Sequence, residues 1–342
     1  MTKHLGRRGL IAASAALLML AAACGEGGDS DDAASGGDGA GTAQEKLDLT
    51  MGGSSSSSSV FALITAEARL AEDADGAMSI NIRETGASNE NIALLQDGSA
   101  QFGLSGLSTV VQAHKGLGDF EGADFPELCS LFVYLNNAEF ITVRADAGID
   151  SVEDLDGKPF APGFQGSAVH DDILAYLEAL DIHPQVFEGS LEDITNAMKD
   201  GRIVGFGKSA NGLGPDASML DVASAVPVKA IGFTKDQVDD ILAADPNYEL
   251  LFDFAEIPKG TIYDNDSKFM TGVVHAVYFS TNEALPEDDA FRVTKAMFEA
   301  LDEAATQTNY AGAKGITAED TTKTTDALPL CDGSKKYFDE LS

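Results

Sequence analysis

Four short stretches carry the residue types that hold a small polar molecule. They are "GGSSSSSS" at 52–59, "TGASNEN" at 85–91, "GLSGLS" at 103–108 and "PGFQGS" at 162–167. Glycine lets a ligand approach the backbone, hydroxyls and amides donate directionally, and free N–H groups at a helix start favour anions. The chemistry this suggests is grip, not bond-breaking. The candidate donors are Gly53, Ser54, Ser55, Ser56, Ser57, Ser58, Thr85, Asn89, Ser105, Gly166 and Ser167. Lys208, in "VGFGKSANGLG", adds a cation that suits a carboxylate, and Asn211 shares its loop. Each stretch alone also reads as plain helix capping, and Lys208 reads equally as a surface lysine. A serine run is by composition a flexible linker. Recurrence at four equivalent places is what points to a binding cleft.

Signatures of catalysis are thin. His114, His170, His183 and His275 are widely separated and form no metal-ligand spacing. No G-x-S-x-G elbow accompanies any serine. "YDNDSKF" at 263–269 lacks the glycine and distal Glu of a calcium loop, and "GKS" at 207–209 lacks the upstream glycine of a phosphate loop. The expectation is a protein that is not an enzyme and uses no cofactor or metal. A secreted hydrolase with an exposed serine is a remote alternative.

The elements that must position these loops follow from periodicity. Leu47–Met51 alternates as a strand, Val60–Ala71 repeats at helical spacing, and Met78–Glu84 alternates again. A helix capped by Ser88 or Asn89 ends at Asp97-Gly98, and a strand in "AQFGLSG" leads to a third helix. The order β-α-β-α-β predicts a parallel sheet with helices across it. In such sheets ligands sit beyond the carboxyl ends of strands, where all four loops fall. "ELCSLFVYLNNAEFITVRADAG" reads as two apolar strands, the second being Glu139–Arg144. The theme then restarts, with a strand at Pro159–Ala161, a long helix after Ser167, and a helix–turn–strand in "SLEDITNAMKDGRIVGFGKS". A long strand at Gly272–Ser280 precedes an amphipathic helix that starts at Pro286, and a last short helix runs to Ser342.

The N-terminus reads as an export signal. Lys3, Arg7 and Arg8 precede the apolar "GLIAASAALLML", and "AAAC" places small residues before Cys24. This predicts a signal peptide over 1–23 and acylation of Cys24, which would anchor the chain to the outer face of a bacterial membrane. A plain cleaved signal or a twin-arginine signal are the alternatives. Residues 24–46 are small, acidic and free of aromatics, which suits a tether. The linker role is thereby filled before the serine run begins. Net charge of −34 excludes general nucleic-acid binding. With Cys24 lipidated, Cys129 and Cys331 remain. In an oxidising compartment they bridge, or else stay as two buried thiols. A bridge would close a loop worth roughly 4–5 kcal/mol by chain entropy.

The ordered set of segments resembles the TAXI group of solute receptors, which serve tripartite ATP-independent periplasmic (TRAP) transporters. The matching segments are "LTMGGSSSSSSVFALITAEA", "RETGASNENIALLQDGSAQFGLSG", "ITVRADAGIDSVEDLDGKPFAPGFQGSAVHDDILAYLEAL", "ITNAMKDGRIVGFG" and the region from "EIPKGTIYDNDSKF" to "ALDEAA". The resemblance covers most of Leu47–Leu341. It implies an α/β, two-lobed periplasmic-binding-protein type II fold with hinge strands at Phe140–Arg144 and Val273–Ser280. Lobe one would comprise 47–143 and 275–342, and lobe two 144–274. It implies a monomer that closes on a small-molecule solute, mostly a carboxylate, and docks on a TRAP-type membrane permease. Receptors of ABC importers and partners of membrane sensor kinases share much of this pattern. Where the family usually has a Gly-Thr-Tyr-Tyr-Pro-like run, this chain has Ser55–Ser59 and Val60, and Ala87 replaces the second of two glycines.

Overall fold

The computed structural model describes residues 45–341. The expected signal peptide, the lipidation at Cys24 and nearly all of the tether lie outside the described residues. Among the described residues, no helix is long and apolar enough to cross a membrane.

The first α/β unit follows the predicted order closely. It comprises β1 (Leu47–Gly52), α1 (Ser59–Ala74), β2 (Met78–Arg83), α2 (Ser88–Gln96), β3 (Phe102–Gly106) and α3 (Leu107–Lys115). β1 pairs in parallel with β2 on one side and β3 on the other. Leu47, Leu49 and Met51 alternate into the core, and Leu63, Ile64, Ala68 and Ala71 of α1 cover them. A long strand, β4 (Leu128–Arg144), then leads to β5 (Pro159–Ala161), α4 (Ala168–Ala179), β6 (Gln185–Val186), α5 (Leu191–Lys199) and β7 (Gly205–Ser209). β5 pairs in parallel with both β6 and β7. The order β6-β5-β7 thus repeats β2-β1-β3, which gives two lobes of one architecture.

Further on come α6 (Ala217–Ala225), β8 (Val228–Ile231), α7 (Lys235–Ala244), α8 (Tyr248–Leu251) and β9 (Asp253–Ile257). They arise from short, weakly patterned stretches. β10 (Phe269–Thr281), α9 (Glu287–Gln307), α10 (Ala318–Thr322) and α11 (Asp332–Leu341) complete the chain. The sheet runs β2-β1-β3-β10-β4-β7-β5-β6, with β8 beside β4 and β9 beside β10.

The two apolar strands expected over 128–144 are one continuous strand of 17 residues. The break at Asn136-Asn137 is a change of partner. Residues up to Asn137 pair with β10, and Glu139–Val143 pair with β7. Asn137 does not interrupt the strand because its side chain is fully engaged. Its amide nitrogen donates to Tyr310 Oη at 2.7 Å, and its carbonyl accepts from Gly212 N at 2.8 Å. β4 and β10 are therefore the strands that cross between lobes.

The cap of α2 also differs from expectation. Ala87, not Ser88 or Asn89, is the N-cap, with φ +75°. Thr85 Oγ1 accepts from Ala87 N, while Ser88 Oγ accepts from Gly106 N. Ser88 is thus drawn away from its own helix and ties α2 to the end of β3. Cys129, at the start of β4, is joined to Cys331 by a disulfide.

Candidate functional site

The helices after the first and second lobes' strands aim their N-termini at one place. Ser58 caps α1 and Ser167 caps α4, each accepting from a backbone N–H of the first turn. Ala87 and Ser88 begin α2, and Gly106 begins α3. All five residues line one cavity of about 70 Å³ between the lobes. Four helix N-termini bring partial positive charge to it. α1 and α3 carry no acidic residue in their first turns to cancel that charge. Tyr134, Leu104, Phe164 and Val274 supply apolar walls.

Hydroxyls around the cavity differ in what they offer. Ser105 Oγ donates to Gly106 O at 3.0 Å and Ser167 Oγ to Phe164 O at 2.7 Å, so both protons are committed. Ser58 and Ser88 accept from backbone N–H groups, which leaves their own protons free. Ser54 is buried in the wall and makes no side-chain hydrogen bond among the described residues.

Lys208 reaches the cavity wall from β7 and is 4% exposed. It is not a surface lysine. Its ammonium donates to Ser209 O at 3.0 Å and lies 3.3 Å from Asp216 Oδ2, which is equally buried. Its charge is therefore balanced within the second lobe. Asp216 also caps α6, where its Oδ1 accepts from Met219 N.

The structure gathers Ser54, Ser58, Ser105, Ser167 and Lys208 at the cavity. It sends the other sequence candidates elsewhere. Ser55, Ser56 and Ser57 form a turn at the rim. Ser55 and Ser57 bond each other, and Ser56 N bonds Glu84, whose carboxyl is thereby held below its ordinary range. Gly53 O accepts from both Thr85 Oγ1 and Asn91 Nδ2, which knits the ends of β1 and β2 together. Asn211 is spent on the C-terminal region, donating to Asn309 O and accepting from Ala311 N.

Asn89 and Gly166 join the lobes. Asn89 N donates to Gly166 O at 3.1 Å, and Asn89 Nδ2 to Asp171 Oδ2 at 3.3 Å. Gly166 makes this approach with φ +83°. Two further bonds cross the cleft, Ala217 N to Ser59 Oγ at 3.0 Å and Ser108 Oγ to Asp172 Oδ2 at 3.1 Å. The lobes are closed on the cavity.

Tyr134, Phe164 and Ser209 are wall residues that motif reading missed. Phe164 lay within a quoted loop but is apolar, and Tyr134 lies in an apolar strand run that gives no functional signal. Behind Tyr134, Tyr278 stacks at 4.4 Å and donates to Glu67 Oε2 at 2.6 Å. Burial pushes the Glu67 carboxyl up to about 8, with the tyrosine hydrogen bond opposing it. No group of three or more metal-ligating side chains forms among the described residues.

Residues 51–341 match the NMT1-like family. No curated protein sequence matches the chain. Solved structures share its fold at low identity. MatC from Rhodopseudomonas palustris with bound malate is 14% identical over 86% of this chain and 99% of that one, at a TM-score of 0.55. A periplasmic transporter is 12% identical over 87% and 96%, at 0.53. A putative L-cystine ABC transporter from Listeria monocytogenes is 12% identical over 78% and 97%, at 0.50.

Proposed function

The chain belongs to the NMT1-like family, and we propose that within it this protein is an extracytoplasmic solute-binding receptor. It captures a small carboxylate-bearing solute between two lobes and delivers it to a TRAP-type permease, as a TAXI receptor tethered through Cys24. The lobes are 47–143 with 275–342, and 144–274, turning about β4 and β10. It binds and releases without catalysis and works as a monomer.

The observation that carries this reading is the convergence of four helix N-termini and one buried ammonium on a cavity between lobes. Such a site favours an anion through fixed dipoles, with no need of a free cation. Because Asp216 balances Lys208, the net field is modest and suits one carboxylate group better than a polyanion. The cavity, about 70 Å³ in this form, suits a small solute. The malate-bound neighbour supports a carboxylate. The ABC-transporter neighbour supports a second reading, in which the same capture serves an ABC importer.

A thermal-shift screen of C2–C6 mono- and dicarboxylates, amino acids and sugars tests the site. A carboxylate present at about 100 times its Kd should stabilise by about 2.7 kcal/mol and raise Tm measurably. No response from any carboxylate, with a response from a neutral sugar, would overturn the anion assignment. Co-purification with a multi-span permease that lacks an ATPase subunit separates the TRAP from the ABC reading.

A further inference from the structure

We propose that Glu139 and Asp172 form a proton-operated latch that holds the lobes closed when protonated and releases them when ionised. Glu139 lies on β4, the crossing strand, and Asp172 on α4 of the second lobe. Both are buried, at 1% and 4% exposure. Asp172 Oδ2 accepts from Ser108 Oγ of α3, in the first lobe, at 3.1 Å. Glu139 Oε2 accepts from Tyr176 Oη at 2.9 Å. That leaves Glu139 Oε1 and Asp172 Oδ1 with no donor among the other described residues. Asp172 stands one helical turn before Tyr176 on α4, which brings the two carboxyls to the same Tyr176 hydroxyl region, and two acceptor-only carboxylates so placed can bond only with a proton between them. The pair sits one helical turn behind the cavity, since Gly106, Ala168 and Val169 of the same helix starts line it.

The neighbours do not offset a charge on the pair. On α4 are Tyr176, Asp171 and His170. Burial opposes charge on His170, while Asp171 and Glu188 hold its pKa up. On β9, Asp253 is held by His275 of β10 at 3.2 Å. Thr271 of β10 is neutral and bonds Glu139 O. On β7, beside Glu139 and Phe140, stand Ser209 and Lys208, and Lys208 is committed to Asp216. The charged ends of α3 (His114, Lys115) and of α7 (Lys235, with Asp236, Asp239 and Asp240) form no ion pair with either carboxyl.

The sign follows from burial. In the closed form burial pushes Glu139 up to about 7 and holds Asp172 well above the ordinary carboxyl range, with Glu139 adding to it. When the lobes part, Ser108 leaves and water reaches Asp172, so its carboxyl returns toward the ordinary range and gives a proton to solvent. The closed form's advantage is complete below the ordinary carboxylate range and is lost as pH rises through the raised range of the pair, which Glu139 marks at about 7. Taking up one proton on closure changes the closed-to-open ratio by at most about tenfold per pH unit. The idea rests on lobe movement, as does the capture reading above.

Small-angle scattering on the full chain, without solute, tests it. The wild type should show a rise in radius of gyration between about pH 6 and about pH 8.5, with the lobes remaining folded. Asp172→Asn keeps the acceptor for Ser108 and should lose the transition, and Glu139→Gln should lose it too. His170→Gln should keep it. Either carboxyl variant that folds decides the question, and reversible melting identifies which do. A wild type that does not change, or a transition unaltered in the folded carboxyl variants, overturns the latch. Because no solute is present, that result leaves the capture reading standing.

Discussion

Ser54 and Ser57 belong to the same run of six serines, yet the fold gives them different work. Ser54 is buried in the cavity wall with its hydroxyl uncommitted, whereas Ser57 is exposed at the rim and bonded to Ser55. Sequence identity cannot separate neighbours of one type. The distinction comes from where the strand ends and the cap at Ser58 begins. Hence Ser54→Ala should weaken binding of the carboxylate found by screening by about ten- to a hundredfold, the range for a hydrogen bond to a charged group. Ser57→Ala should leave calorimetric affinity unchanged, and equal losses in the two variants would refute the assignment of Ser54. Lys208 was legible as a cation at a strand end, but its partner was not, because Asp216 lies in a loop with no pattern linking it to β7. Asn89 and Gly166 were legible as polar loop residues. That they bond each other across the cleft is a property of closure, which no local stretch encodes.

Among the elements, the repeated β-α-β units were readable because alternation and helical spacing survive in short windows. β4 was not, since a strand that changes partners midway carries an asparagine pair that mimics a break. The contact between α1 and β10 was equally invisible. Glu67 lies on the buried face of α1 and meets Tyr278 of β10, 211 residues away, where helical spacing would place an apolar side chain. Its carboxyl ionises near 4.5 in an open chain and near 8 in the fold. The stability linked to its proton is complete below about 4.5 and is lost as pH rises through about 8. The total is on the order of 5 kcal/mol. Glu67→Gln keeps an acceptor for Tyr278 and removes the titration. Denaturant unfolding across about pH 5 to 9 should show a flatter stability curve for the variant, with the gain largest at the alkaline end. An unchanged slope above pH 7 would show that Glu67 reaches water in the folded chain.

At the scale of the whole molecule, two features oppose each other. A net charge of −34 repels itself and favours expansion of the chain. The disulfide between Cys129 and Cys331 works against that expansion, because it spans 202 residues and its loop encloses β5, β6 and β7 of the second lobe, while β1–β3 lie outside it. It ties the start of α11 to the start of β4, where Ser130 and Cys331 also exchange a backbone hydrogen bond at 2.9 Å. The pair was readable as the two cysteines that remain if Cys24 is set aside, because two thiols allow one bridge. Its placement was not readable, since it depends on α11 packing against α9, with Phe298 of α9 against Tyr337 and Phe338. For a loop of this length the chain-entropy model gives about 5 kcal/mol. Cys129→Ser with Cys331→Ser should therefore lower unfolding free energy by up to about 5 kcal/mol. The loss should be greatest at low ionic strength, where repulsion among the carboxylates is least screened. Solute affinity should stay unchanged, because the bridge lies in the first lobe away from the cavity residues. Equal stability of the double variant and the wild type in denaturant titrations at low salt would mean that the C-terminal helix holds without its covalent tie.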